Sequence, residues 1–224
     1  MYEEYLNTFS VPWKKVVRKW AKMNIAYAEA VEDLPAWYVE NSNSALFSSA
    51  LWACDYPSIC ETDIGKQVIS GLPGRRRAYD GRTDIEALVE DELFLFEAKK
   101  RHLNLSGDSR RALRHNVIAR ALDEALSDTA KIRSAAGNLT AKAGSIVFFS
   151  AVLSADYFGQ GKWISKRRER IVDELEAFKR NMSDLRFKDV DLMYAAYFSD
   201  TSRLSISTDD YRPVAFGVCM TLPK

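Results

Sequence analysis

The chain has 224 residues, 47% of them hydrophobic, with 32 lysines and arginines against 31 acids for a formal charge of +1. A chain of this length buries roughly 70% or more of its unfolded surface, and near-neutrality excludes a global basic field, so nucleic-acid binding must rest on local patches. Three cysteines without a CxxC and only two histidines argue against a disulfide framework and a His-rich zinc centre.

The first ten residues, MYEEYLNTFS, carry no signal-peptide core and read as a loosely held lead-in. A helix is expected from Ser10-Val11-Pro12, with Ser10 as its cap and Trp13, Val16, Val17, Trp20, Met23, Tyr27 and Val31 at helical spacing. Its outer face holds Lys14, Lys15, Arg18, Lys19 and Lys22, which suits either solvation or a phosphate backbone. A second helix is expected over Pro35–Ala53, weakened and open to division at Asn41-Ser42-Asn43. Glu40 shares a row with Ser44, Phe47 and Leu51, so it is either a local cap or a third acid pointed at the hairpin of residues 83–99. Asp55–Gly74 is turn-rich, with a short strand at Gln67–Ser70. Gly71-Leu72-Pro73-Gly74 then leads into Arg75, Arg76 and Arg77, a solvated turn or a phosphate-holding loop.

Two strands follow, Thr83–Val89 and Leu93–Lys99, joined by a polar turn at Glu90-Asp91. The second strand is apolar on both faces until it ends in Glu97-Ala98-Lys99. A two-residue loop pairs Val89 with Glu92 and places Asp84 opposite Glu97, where Cβ atoms lie about 4.5–5.5 Å apart. Period-two alternation puts Lys99 on the same face. Two carboxylates at that separation repel by roughly 3 kcal/mol at an effective dielectric near 20. Lys99 offers a counter-charge, and a divalent metal would offer more.

A turn at Gly107-Asp108-Ser109 precedes a helix to about Ser134, with Leu113, Val117, Ala121, Leu122, Ala125 and Ile132 inward and Arg110, Arg111, Arg114, His115 and Arg120 on its first half. Ser145–Ser154 is another buried strand, Ser165–Leu185 a third long helix, and Leu192–Phe198 and Val214–Leu222 the last strands, with a short one at Leu204–Ser207 between them. The most apolar run, Ser145–Ala155, is about half a membrane span. Buried strands separated by long helices indicate an α/β layer fold.

Asp84, a strand, a turn, a second apolar strand and then Glu97-Ala98-Lys99 resemble the signature of the PD-(D/E)XK nuclease superfamily over roughly Glu40–Ser154. Thr83 stands where the name-giving proline would be, and the following helix has no Gln-x-x-x-Tyr. The resemblance implies one domain over residues 1–224, a restriction-endonuclease-like mixed central sheet flanked by helices with a helical N-terminal segment. It implies Asp84, Glu97 and the Ala98 carbonyl as ligands of Mg²⁺ or Mn²⁺, Lys99 orienting or deprotonating the attacking water, and Glu40 as the helix-borne acid. Hard oxygen donors suit that metal. The expected activity is hydrolysis of nucleic acid, with DNA as the expected form, in defence, in a mobile element or in repair. Arg75, Arg76, Arg77, Lys100, Arg101, Arg110, Arg111 and Arg114 would hold the backbone. The competing expectation is an inactive protein of the same fold that binds nucleic acid or protein. A cytoplasmic location, no membrane contact, and a homodimer or larger complex complete the set.

Overall fold

The computed structural model describes residues 2–67, 78–104, 113–135, 141–154, 172–173, 176–177, 179–180, 182, 184–185, 190–199 and 211–224. Strand β1 (Tyr2–Asn7) leads into helix α1 (Trp13–Val31), a 3-10 turn (Pro35–Trp37) and helix α2 (Glu40–Trp52). Strands β2 (Ser58–Gln67), β3 (Ala78–Val89) and β4 (Glu92–Asn104) precede helix α3 (Leu113–Ala135). Strands β5 (Lys142–Ser154), β6 (Val190–Ser199) and β7 (Tyr211–Pro223) complete the sheet. The architecture is α/β, a seven-stranded mixed sheet in the order β1-β6-β7-β5-β4-β3-β2 with helices on both faces. The pair β4–β5 is parallel and all others are antiparallel. A parallel pair needs a crossover connection, and α3 lies within it.

Each sheet face buries its own core. On one face α1 and α2 cover Ile85, Ala87, Phe94, Phe96, Ala98, Ile146 and Phe148. Trp20 sits at its centre, fully buried, with its ring 5.5 Å from those of Phe148 and Phe216. On the other face α3 covers Leu103, Val147, Phe149, Ala151 and Cys219 with Ile118, Ala121 and Leu122. Residues of β4 therefore alternate between two interiors, which is why its sequence is apolar without a polar side. Gly144 on β5 is fixed by crowding: a Cβ there would lie 2.6 Å from the Thr221 carbonyl oxygen and 2.8 Å from the Phe96 ring.

The sequence-level expectations need several corrections. The lead-in is a strand, β1, paired to β6 along the sheet edge and tied to α1 by a bidentate Arg18–Glu4 pair. Burial of α1 continues through Asn24, Ile25 and Ala28, while Tyr27 and Val31 are exposed. The second helical segment divides before Glu40 and not at Asn41–Asn43. The turn-rich stretch contains β2, a ten-residue strand. On α3 the inward residue is Ile118, and Val117 is exposed. Within the span Ser165–Leu185 expected as a helix, helical residues are described at 172–173, 176–177, 179–180, 182 and 184, and Met182 is buried. The Gly71–Arg77 loop and the Leu204–Ser207 strand lie outside the described residues. No helix among the described residues is long and apolar enough to cross a membrane.

Candidate active site

The hairpin has the expected register from Val89–Glu92 to Ile85–Phe96, but the expected Asp84–Glu97 pair is not formed. Val89 pairs with Glu92, Leu88 with Leu93, Ala87 with Phe94, Glu86 with Leu95 and Ile85 with Phe96. Glu90 and Asp91 both have positive φ, 50° and 64°. Positive φ at both central residues is the type I′ geometry that matches strand twist. Beyond Ile85 and Phe96 the ladder stops: β3 continues its pairing with β2, from Thr83–Thr62 to Ala78–Gln67, while β4 continues its pairing with β5. The two strands diverge at Asp84 and Glu97.

Diverging strands leave backbone groups without a ladder partner, and a buried orphan donor costs about 1–3 kcal/mol. Alternate residues of a strand present N–H and C=O to the same edge, so Phe96, Ala98 and Lys100 present theirs to the gap. Side chains fill it. The Thr83 hydroxyl donates to the Phe96 carbonyl at 3.0 Å. The Ala98 N–H donates to Asp84 Oδ2 at 2.6 Å. The Lys100 N–H donates to the Glu40 carboxylate, and the Arg101 guanidinium donates to the Lys100 carbonyl at 2.9 Å.

Register places Asp84 and Glu97 on one face, with Lys99 and Arg101 along β4 on that same face. Glu97 is buried, 4% exposed. Lys99 Nζ lies 3.6 Å from Asp128 Oδ2 on α3. Glu40 comes from the opposite layer. The N-cap residue of α2, Val39, offers no side-chain cap, and the Glu40 carboxyl reaches past its own helix to β4. Asn41, next to it, donates to Glu61 Oε1 at 3.0 Å, and Arg82 donates to the same carboxylate at 2.9 Å, so α2's first turn is pinned to β2 and β3. Burial raises the pKa of Glu40; Lys99 opposes that rise, and the negative charge of Asp84 adds to it. Asp84 and Glu40 thus both meet the gap edge of β4, and alternation puts Glu97 and Lys99 on the face of Asp84 beside it.

The expected backbone-holding residues are distributed differently. Lys100 points to the opposite face, where its ammonium meets the Ser150 hydroxyl, and Ser150 in turn donates to the Ala36 carbonyl of the 3-10 turn. Burial pushes the Lys100 pKa down to about 7. That position is a half-buried one against the 3-10 turn, with its ammonium directed inward to Ser150. Arg101 is paired with Glu124 of α3. Arg114 stands in the first turn of α3, and Arg75, Arg76, Arg77, Arg110 and Arg111 lie outside the described residues.

Thr83, Asp128 and Glu124 are the participants that sequence reasoning missed. Thr83 depends on where the strands diverge, which alternation does not give. Asp128 and Glu124 depend on how α3 sits across the sheet, which periodicity does not give.

The donor set can be weighed against Mg²⁺ or Mn²⁺. Among the described residues no three His, Cys, Asp or Glu side chains close on a single point. Mg²⁺ does not require that: it takes one or two carboxylates and keeps several waters. Asp84, the buried Glu97 and a backbone carbonyl on the gap edge of β4 are hard oxygen donors of the right kind, so the residues fit the ion in chemistry. No family model matches this chain, and no curated protein or solved structure matches it.

Proposed function

We propose that this protein is a Mg²⁺- or Mn²⁺-dependent nuclease of the PD-(D/E)XK superfamily, with a restriction-endonuclease-like fold and DNA as its substrate. The observation that carries the reading is the fork. The hairpin register breaks at the residues where Asp84, Glu97 and Lys99 share a face, and Glu40 reaches the same gap from α2. A generic hairpin has no need to separate its strands and fill the gap with carboxylates.

In this reading Asp84, Glu97 and the Ala98 carbonyl hold the metal. When bound, the ion lowers the pKa of a water and stabilises charge on the phosphate oxygens. Lys99 orients the attacking water and donates toward the charge that develops on the phosphate. Glu40 holds the Lys100 N–H and thereby the strand that carries Ala98 and Lys99. The sheet closes the site from behind, because Ile85, Phe96 and Ala98 on its other side are buried against α1 and α2. Arg75, Arg76, Arg77, Arg110 and Arg111, outside the described residues, are the proposed backbone contacts, so binding weakens with salt.

A second reading has its own observation. Asp84 is bonded to the Ala98 N–H, Glu40 to the Lys100 N–H, and Lys99 to Asp128. A cluster whose charges are met internally also suits an inactive protein of the same fold that binds nucleic acid or a protein partner.

Incubation with plasmid, linear duplex and single-stranded DNA, each with Mg²⁺ or Mn²⁺, separates the two. The nuclease reading expects metal-dependent cutting that falls by at least about 100-fold in Asp84→Ala and Lys99→Ala. Equal cutting by both variants, or none by the wild type under any condition, would overturn it.

A further inference from the structure

We propose that Asp128 is a positioning residue for Lys99, holding its ammonium at the rim of the acidic cluster as one rung of an ion-pair ladder between α3 and β4. The two rungs are Lys99–Asp128, at 3.6 Å, and Arg101–Glu124. Their spacings agree. Residues 124 and 128 lie one above the other on a helix, about 6 Å apart along its axis. Residues 99 and 101 lie on one strand face, about 6.6 Å apart. Both rungs therefore form at once, and each limits rotation of α3 on the sheet for the other.

A lysine ammonium ends a flexible four-carbon stem, and Lys99 has several acids within reach of its field. Glu97 and Asp84 share its face, and Glu40 senses its charge across the gap. An ammonium drawn toward Asp84 and Glu97 would compete with a cation for the same oxygens. Asp128 draws it toward α3 instead. Its side chain is 32% exposed and that of Lys99 21%, so the pair is largely withdrawn from water and screened less than a surface pair.

The catalytic consequence rests on the nuclease reading; the hold itself does not. Two measurements separate them. The first is a thermal-unfolding cycle with wild type, Asp128→Asn, Lys99→Met and the double variant. Coupled residues give non-additive shifts: each single change is expected to lower Tm by roughly 1–3 °C, and the double change by no more than the larger single. Additive shifts would overturn the proposal whether or not the protein cuts DNA. The second is steady-state cleavage by the same four proteins with Mg²⁺. Asp128→Asn is expected to lower kcat about tenfold with KM for DNA little changed, and Asp128→Glu to restore most of it. In the Lys99→Met background the Asp128 change is expected to add nothing. An equal further loss in that background, or a change confined to KM, would overturn it. Absence of cutting by the wild type sinks the nuclease reading and leaves the hold to the unfolding cycle.

Discussion

The two halves of one hairpin are built on different rules. From Val89–Glu92 to Ile85–Phe96 the strands pair, and their inward side chains are accounted for by packing: Ile85, Ala87, Phe94 and Phe96 are buried against α1 and α2. Past that point the same strands diverge, and hydroxyl, carboxylate and guanidinium groups replace the ladder bond for bond. Every candidate catalytic side chain falls at this fork. The paired half supplies rigidity, and the open half gathers charge at a place where backbone donors need acceptors. A carboxylate at such a fork has two uses, as a cap on an orphan N–H and as an oxygen donor facing outward.

That contrast predicts a graded series of stability effects. The largest belongs to the paired half. Phe96→Ala removes a fully buried ring that contacts Phe94 and Trp13, and should cost about 3–5 kcal/mol in urea unfolding. Asp84→Ala should cost about 1–3 kcal/mol by leaving the Ala98 N–H unmet, whereas Asp84→Asn, which keeps an acceptor oxygen, should recover most of that loss while cleavage stays down. An Asp84→Ala protein as stable as the wild type would mean that the fork does not depend on its caps. Thr83→Val keeps shape and removes the donor to the Phe96 carbonyl, so about 1 kcal/mol is expected by the same assay.

The smallest effect is one of pH. Glu40 has a folded-state pKa raised above its ordinary value of 4.5, chiefly by burial. The folded protein therefore binds more protons than the unfolded chain in the interval above 4.5, and stability falls as pH rises through it. Glu40→Gln retains an acceptor for the Lys100 N–H and cannot ionise. Its Tm relative to wild type should increase from pH 4 toward pH 8. A difference that is flat or of opposite sign would show that ionised Glu40 is favoured in the fold.

Much of the hairpin was legible because local rules decide it. Alternation gave the faces, and an even turn with two left-handed residues gave the register. The outcome at Lys100 was available from that same alternation: 97, 99 and 101 share one face, so 100 belongs to the other. Grouping it with Arg101 by charge alone obscured this. The strands β1 and β2 were illegible because edge strands need no apolar face. In β2 the inward residues Ser58 and Cys60 meet Ser48 of α2, which bonds to Ser58 at 2.8 Å, so no hydrophobic period marks it. Asp128 was illegible for a different reason. Its partner is set by the angle and height of α3 over the sheet, which depend on the packing of Ile118, Ala121 and Leu122. Glu40 was half legible: its row with Phe47 and Leu51 pointed inward as expected, but only the divergence of β3 and β4 shows what it meets.

The central claim, that the fork binds a divalent metal, can be tested without knowing which nucleic acid is cut. Mn²⁺ binding to the purified protein, followed by electron paramagnetic resonance and calorimetry, should give at least one site per chain that is lost in Asp84→Ala and in Glu97→Gln and kept in Thr83→Val. Absence of Mn²⁺ binding by the wild type, or binding undiminished in both carboxylate variants, would contradict it.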